Sequence, residues 1–133
     1  MSVFNGVNKG RLNIVDIIAA KTVTIEESGT VFNLNAAAGA AVTLPVLSAL
    51  TRGCYYKFFI GQATTSTDWV LTSTTAKMQG ALLEAGLVVL VANGTTINIE
   101  LATDVLGDWL ECYSDGTNWI VDGVASGASF TIA

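Results

Sequence analysis

The stretch Gly107–Gly123 reads Gly-Asp-Trp-Leu-Glu-Cys-Tyr-Ser-Asp-Gly-Thr-Asn-Trp-Ile-Val-Asp-Gly, and it admits one simple local fold. Two apolar-rich runs flank Asp115-Gly116, and an Asp-Gly step between such runs signals a β-hairpin. Gly116 accepts the positive φ of a primed turn, and Asp tolerates it better than most residues. A loop with an even number of residues sets Cys112 opposite Trp119 and Leu110 opposite Val121. Those four then share one face, and Glu111, Tyr113, Ile120 and Asp122 share the other. A slip of one residue would turn Glu111 and Asp122 toward Trp119, so burial fixes which face is which.

The same period of two runs through most of the chain. From Lys21 onward, short strands are predicted at Lys21–Ile25, Val31–Asn35, Ala41–Leu44, Cys54–Ile60, Trp69–Ser73, Met78–Leu83, Leu87–Ala92, Thr95–Leu101 and Ser129–Ala133. Pro45 ends one strand by removing a ladder donor. Val46–Gly53 has room for a single helical turn. Glu84-Ala85-Gly86 and Asn93-Gly94 read as further hairpin turns. About ten short strands without a long helix indicate an all-β fold, expected as a jelly-roll-like antiparallel β-sandwich spanning residues 21–133. No repeat of solenoid or propeller type is evident.

Residues 1–20 differ, and are expected to form a short N-terminal arm. Ile14, Val15, Ile17 and Ile18 fit one face of a short helix, and they equally suit an extended segment. They either pack on their own domain or dock on a neighbouring subunit or a larger partner.

At 133 residues the chain is one domain with a real core. Charged residues make up only 13% and apolar residues 51%, with a mean hydropathy of +0.55. So few charges cannot coat a lone domain, so apolar patches should remain and be covered by other chains, most simply by copies in a closed ring. The net charge of −5 and the scattered bases exclude a nucleic-acid footprint. The longest apolar run, Ala81–Ala92, is interrupted by Glu84 and too short to span a bilayer. Met1–Arg11 lacks the pattern of a secretory signal, so folding in the cytoplasm is expected, with Cys54 and Cys112 reduced and packed as small hydrophobes.

The chain contains no histidine, which removes the usual general base and the commonest metal ligand. Neither glycine-rich phosphate-loop pattern is present. Glu100, Asp104, Asp108, Glu111, Asp115 and Asp122 crowd the last third, where a glycosidase pair or a calcium site would need them convergent. A calcium site near Asp104 and Asp108, or at Asp115-Gly116-Thr117-Asn118, stays open, although the spacing matches no EF-hand loop, and the acids are read first as solvated turn and outward strand residues. No catalytic residue, metal or cofactor is expected. Trp69, Trp109 and Trp119 read as core or interface packing, with Trp119 inward and Trp109 beside Glu111 and Tyr113.

Several segments together resemble a known pattern. They are Val42-Thr43-Leu44-Pro45, the turn to Gly53, Tyr55-Tyr56-Lys57-Phe58-Phe59-Ile60-Gly61, Trp69-Val70-Leu71-Thr72-Ser73, and Leu106-Gly107-Asp108 through Ser114-Asp115-Gly116-Thr117-Asn118-Trp119. The likeness, over residues 21–133, is to virion β-modules of tailed bacteriophages, nearest to capsid decoration (cement) proteins. It implies a non-enzymatic homotrimer on the outer surface of the head, made in the host cytoplasm, with the major capsid protein as partner and neither nucleic acid nor membrane bound. Ile14, Val15, Ile17 and Ile18 are the expected capsid-binding or inter-subunit residues. The alternative is a tail-fibre or receptor-binding module that recognises a cell-surface saccharide.

Overall fold

The computed structural model describes residues 11–101 and 103–133. The strands are β1 (Ile14–Ile17), β2 (Lys21–Thr22), β3 (Val31–Leu34), β4 (Ala41–Thr43), β5 (Tyr55–Ile60), β6 (Trp69–Thr72), β7 (Met78–Glu84), β8 (Leu87–Gly94), β9 (Thr96–Ile99), β10 (Trp109–Ser114), β11 (Trp119–Ala125) and β12 (Phe130–Ile132). Single 3₁₀ turns lie at Ile25–Glu27 and Ala49–Thr51. The second is the helical turn expected after Pro45. It is held by the Ser48 hydroxyl accepting from the Leu50 amide and the Thr51 hydroxyl accepting from the Ser48 amide.

Two sheets make a sandwich. The larger has strand order β1-β3-β5-β10-β11-β7-β8 and the smaller β12-β9-β6-β4-β2. The all-β class is as the alternation predicts, but the pairing is not antiparallel throughout. β1–β3, β3–β5, β2–β4, β4–β6 and β11–β7 are all parallel. For the first four the reason is the path of the chain. From β1 to β6 it alternates between the sheets, so each strand returns to its own sheet running the same way as its predecessor. The first half is a coil wound around the core, and this winding replaces the antiparallel jelly-roll connectivity expected from strand spacing.

The segment expected as an arm lies on this coil. Residues 14–17 form β1, extended and paired with β3, and the Ile17 side chain enters the core. Positions 1–10 of the expected arm lie outside the described residues.

The Asp115-Gly116 hairpin forms, with its register moved by two residues. Ser114 faces Trp119, Cys112 faces Val121 and Leu110 faces Gly123. The loop is Asp115–Asn118 rather than two residues. Its Asp115 carboxylate accepts the Thr117 and Asn118 amides at 2.8 and 2.7 Å, a side-chain cap that favours the longer loop. These amide bonds, Asn118 first, hold the Asp115 carboxyl below the usual carboxylate range. A shift of two preserves parity, so Leu110, Cys112, Trp119 and Val121 are all buried as the alternation requires.

The core fills the space between the sheets. Phe32 stacks on Phe58 with ring centres 5.4 Å apart, and Tyr56 tilts against Trp119 at 6.0 Å. Trp69, Leu71, Ile97 and Ile99 meet them from the smaller sheet. The Tyr56 hydroxyl donates to the Thr24 carbonyl, giving the one polar atom of that ring a partner. Cys54 and Cys112 remain buried thiols, and burial pushes the Cys112 thiol up, which keeps it protonated. The inter-sheet void beside Trp69 measures about 10 Å³, room for one water at most.

Asn93-Gly94 does not make a hairpin, because β8 and β9 belong to different sheets. It is a corner. The β7–β8 ladder is irregular there, with Met78 opposite Gly94 and Gly80 opposite Val91. Gln79 braces the irregularity through its side-chain amide, which donates to the Asn93 side chain and accepts the Asn93 backbone amide. Gly80 sits beside the bulge at φ +145°, and a Cβ there would overlap the Val121 carbonyl oxygen. Gly80→Ala should therefore cost about 2 kcal/mol or more in urea unfolding, and a neutral result would contradict the close approach of β7 to β11.

Candidate functional site

The two outer faces of the sandwich are unlike. On the smaller sheet, Thr22, Thr43, Thr72 and Thr96 lie side by side across four strands, followed by Val70, Asn98 and Thr131 in the next register row. Those side chains are half-buried except Thr22 and Thr131, which are exposed. On the larger sheet, the register aligns Phe59, Trp109, Val124, Leu83 and Val88 in one row across β5, β10, β11, β7 and β8. These five form a continuous apolar stripe, partly or fully exposed along its length. It runs out onto β8, where Leu87, Val88 and Leu90 are each more than 70% exposed.

Charge borders the stripe on one side. The adjacent row places Lys57, Glu111 and Asp122 opposite one another, followed by Ala81 and Leu90. Lys57 reaches back over Trp109, its ammonium 4.5 Å from the ring centre. Tyr55 donates its hydroxyl to the Glu111 carboxylate at 2.5 Å. Burial, and then this bond to Glu111, push the Tyr55 phenol up to about 12.

At its β5 end the stripe opens into a groove of about 230 Å³ lined by Leu12, Ile14, Val31, Lys57, Phe59, Gly107 and Trp109. Here the expected binding residues divide. Ile14 lines the groove and is half exposed, Val15 and Ile18 are exposed along the β1 edge, and Ile17 is core. The four do not share a face, since an extended strand sends alternate residues to opposite sides. Leu83, Val88 and Leu90, which the sequence places only in strands, and Val124, which it leaves just beyond the hairpin, carry more of the open apolar surface. Their signal was visible as apolar residues at both parities of Leu87–Val91.

The crowded acids have structural work. Asp104 and Asp108 are buried rather than solvated. Asp104 accepts the Thr64 amide and hydroxyl through Oδ2. Asp108 accepts the Val105 amide, the Ser126 amide and the Ser126 hydroxyl. Glu84 caps the Phe130 amide, and Glu100 accepts from the Thr131 hydroxyl. Among the described residues no three His, Cys, Asp or Glu side chains converge as metal ligands. No described helix is long and apolar enough to cross a membrane.

Fold and surface together define a two-sheet β-sandwich with a threonine-rich outer face on one sheet and an apolar stripe on the other. No family model, curated protein or solved structure matches this chain.

The Tyr55–Glu111 contact gives a pH test with a definite sign. A phenol raised in the folded state contributes nothing to the pH slope below its ordinary value of 10.0, and stability falls as pH rises from there toward about 12. Tyr55→Phe should flatten that loss in chemical-denaturation curves between pH 10 and 12. An unchanged slope would show that the hydroxyl is not held by Glu111.

Proposed function

We propose that this chain is a non-enzymatic structural module that works by laying the apolar stripe of its larger sheet against a bigger protein surface, as a homo-oligomer. The observation that carries this reading is the contrast between the threonine-rich outer face of the smaller sheet and the Phe59–Trp109–Val124–Leu83–Val88 row on the larger. One side of the molecule suits water and the other suits protein. The low charge content and the interlocked carboxylates, spent on backbone amides rather than gathered in a cleft, agree with a binding role.

The particular setting is the one implied by the sequence resemblance. It is the outside of a tailed-phage head, where the chain decorates and stabilises the capsid as trimers bound to the major capsid protein. A shell strained from within weakens at gaps between capsomers. A module that buries apolar area across a gap stabilises it, and several linked copies multiply a weak contact through effective concentration. Ile14 of β1 lines the groove end of the stripe and extends the same surface, while Val15 and Ile18 are exposed nearby on the sheet edge. The saccharide-binding alternative requires an open aromatic face, and the ammonium of Lys57 lies over the Trp109 ring.

Mixing the purified protein with expanded, undecorated heads and sedimenting the heads tests the reading. The wild type should co-sediment. Leu83→Ser/Val124→Ser, which lowers the apolarity of the stripe at exposed positions, should weaken binding about tenfold or more. Binding by the double variant equal to wild type would remove the stripe from the contact, and failure of the wild type to bind would remove the capsid.

A further inference from the structure

The edge of the larger sheet makes a stronger commitment than its face. Leu87–Gly94 is an eight-residue strand at the end of the strand order, with no described strand beyond it. It lacks the usual protections of an edge. It carries no charged residue and no proline, and both of its faces are apolar from Leu87 to Val91. The irregularity beside Asn93 is confined to its far end, and the pairing of Leu87–Val91 with β7 stays regular.

We infer that β8 is a self-pairing edge, joined antiparallel to β8 of a second copy across a two-fold axis at Val89. The geometry follows from the hairpin. Ala85-Gly86 is a two-residue turn with both residues at positive φ, so its flanking pair Glu84–Leu87 is hydrogen-bonded and the pairs alternate from there. Leu87, Val89 and Val91 thus direct their backbone groups to β7, and Val88 and Leu90 direct theirs to the open edge. A two-fold at Val89 sets Val88 opposite Leu90 of the second copy, and Leu90 opposite its Val88. Every outward amide and carbonyl of these residues then finds its complement, with four main-chain hydrogen bonds. The outward side chains meet as Val–Leu pairs on one face, which stabilise an antiparallel joint.

Charge does not oppose a copy at this place. Each chain carries a net charge of −5, so two copies repel over most approaches, yet the Leu87–Val91 edge brings no ionised group to the joint. The exposed Leu87, Val88 and Leu90 of two copies supply the apolar area for a small interface of the weak, transient kind. The axis stands perpendicular to the sheet. Both apolar stripes therefore face the same way, on one continuous sheet of two copies. The joint goes beyond the proposed role in a virion and stands without it. On a shell it would link subunits of neighbouring trimers.

Sedimentation equilibrium up to about 100 µM, with Val88→Lys/Leu90→Lys and Val89→Cys beside the wild type, tests the pairing. The wild type should reach an even-numbered state, a dimer or paired trimers. The lysine variant, checked for native circular dichroism, should weaken that association at least tenfold because like charges then oppose across the joint. Val89→Cys should cross-link to a covalent dimer under mild oxidation, because Val89 meets its own copy at the axis, whereas Val88→Cys should cross-link far less. A wild type that remains a monomer or a lone trimer overturns the pairing. So does a lysine variant that associates as the wild type does, or equal cross-linking at positions 88 and 89.

Discussion

The packing of Trp119, Tyr56, Phe32 and Phe58 against Trp69, Leu71, Ile97 and Ile99 is the interaction on which the remaining geometry depends. It fixes which side of each strand points inward, and with a period of two it fixes by default what points outward. The smaller sheet can place threonine and asparagine on its outer side and stop there. The larger sheet is wider, and the smaller one covers only its inner face. The chain leaves the other face with a cross-strand row of aromatic and aliphatic side chains. A surface of that kind is stable in water when something lies on it.

Parity was legible in the sequence and connectivity was not. The alternation in Leu110–Tyr113 and Trp119–Asp122 gives the buried face correctly, although the ladder pairs Cys112 with Val121 instead of Trp119. Burial distinguishes faces, and it is blind to a shift of two. The Asp115 carboxylate, by capping two loop amides, decided the longer loop. The winding of β1 to β6 left no periodic trace, because the strands that stack on one another begin at Ile14, Val31 and Tyr55, at unequal spacings filled by different turns. Asn93-Gly94 carried a hairpin signal and became a corner between sheets. A local turn preference constrains the bend, and the sheet that receives the next strand is chosen by the core.

The candidate surface was legible by composition and misplaced by position. A shortage of charge announces that apolar area will be exposed, without saying where. Attention to Ile14, Val15, Ile17 and Ile18 found a real edge of the larger sheet, but Ile17 belongs to the core, and the groove beside Ile14 is completed by Phe59 and Trp109 from strands far along the chain. The register row from Phe59 to Val88 joins five separate segments, and only the folded order of strands brings them into line. The run Leu87–Val91 was the more direct clue. A strand with apolar residues at both parities suits burial on two sides, yet here it sits at an edge.

Residue-resolved amide hydrogen exchange, followed across protein concentration, tests most directly whether the chain completes its surface with other copies. The account predicts that the amides of Val88 and Leu90 exchange slowly at high concentration and rapidly on dilution, while Val121 in the core stays protected at both. Fast exchange at Val88 and Leu90 at every concentration would contradict it, leaving the edge and its stripe bare in solution.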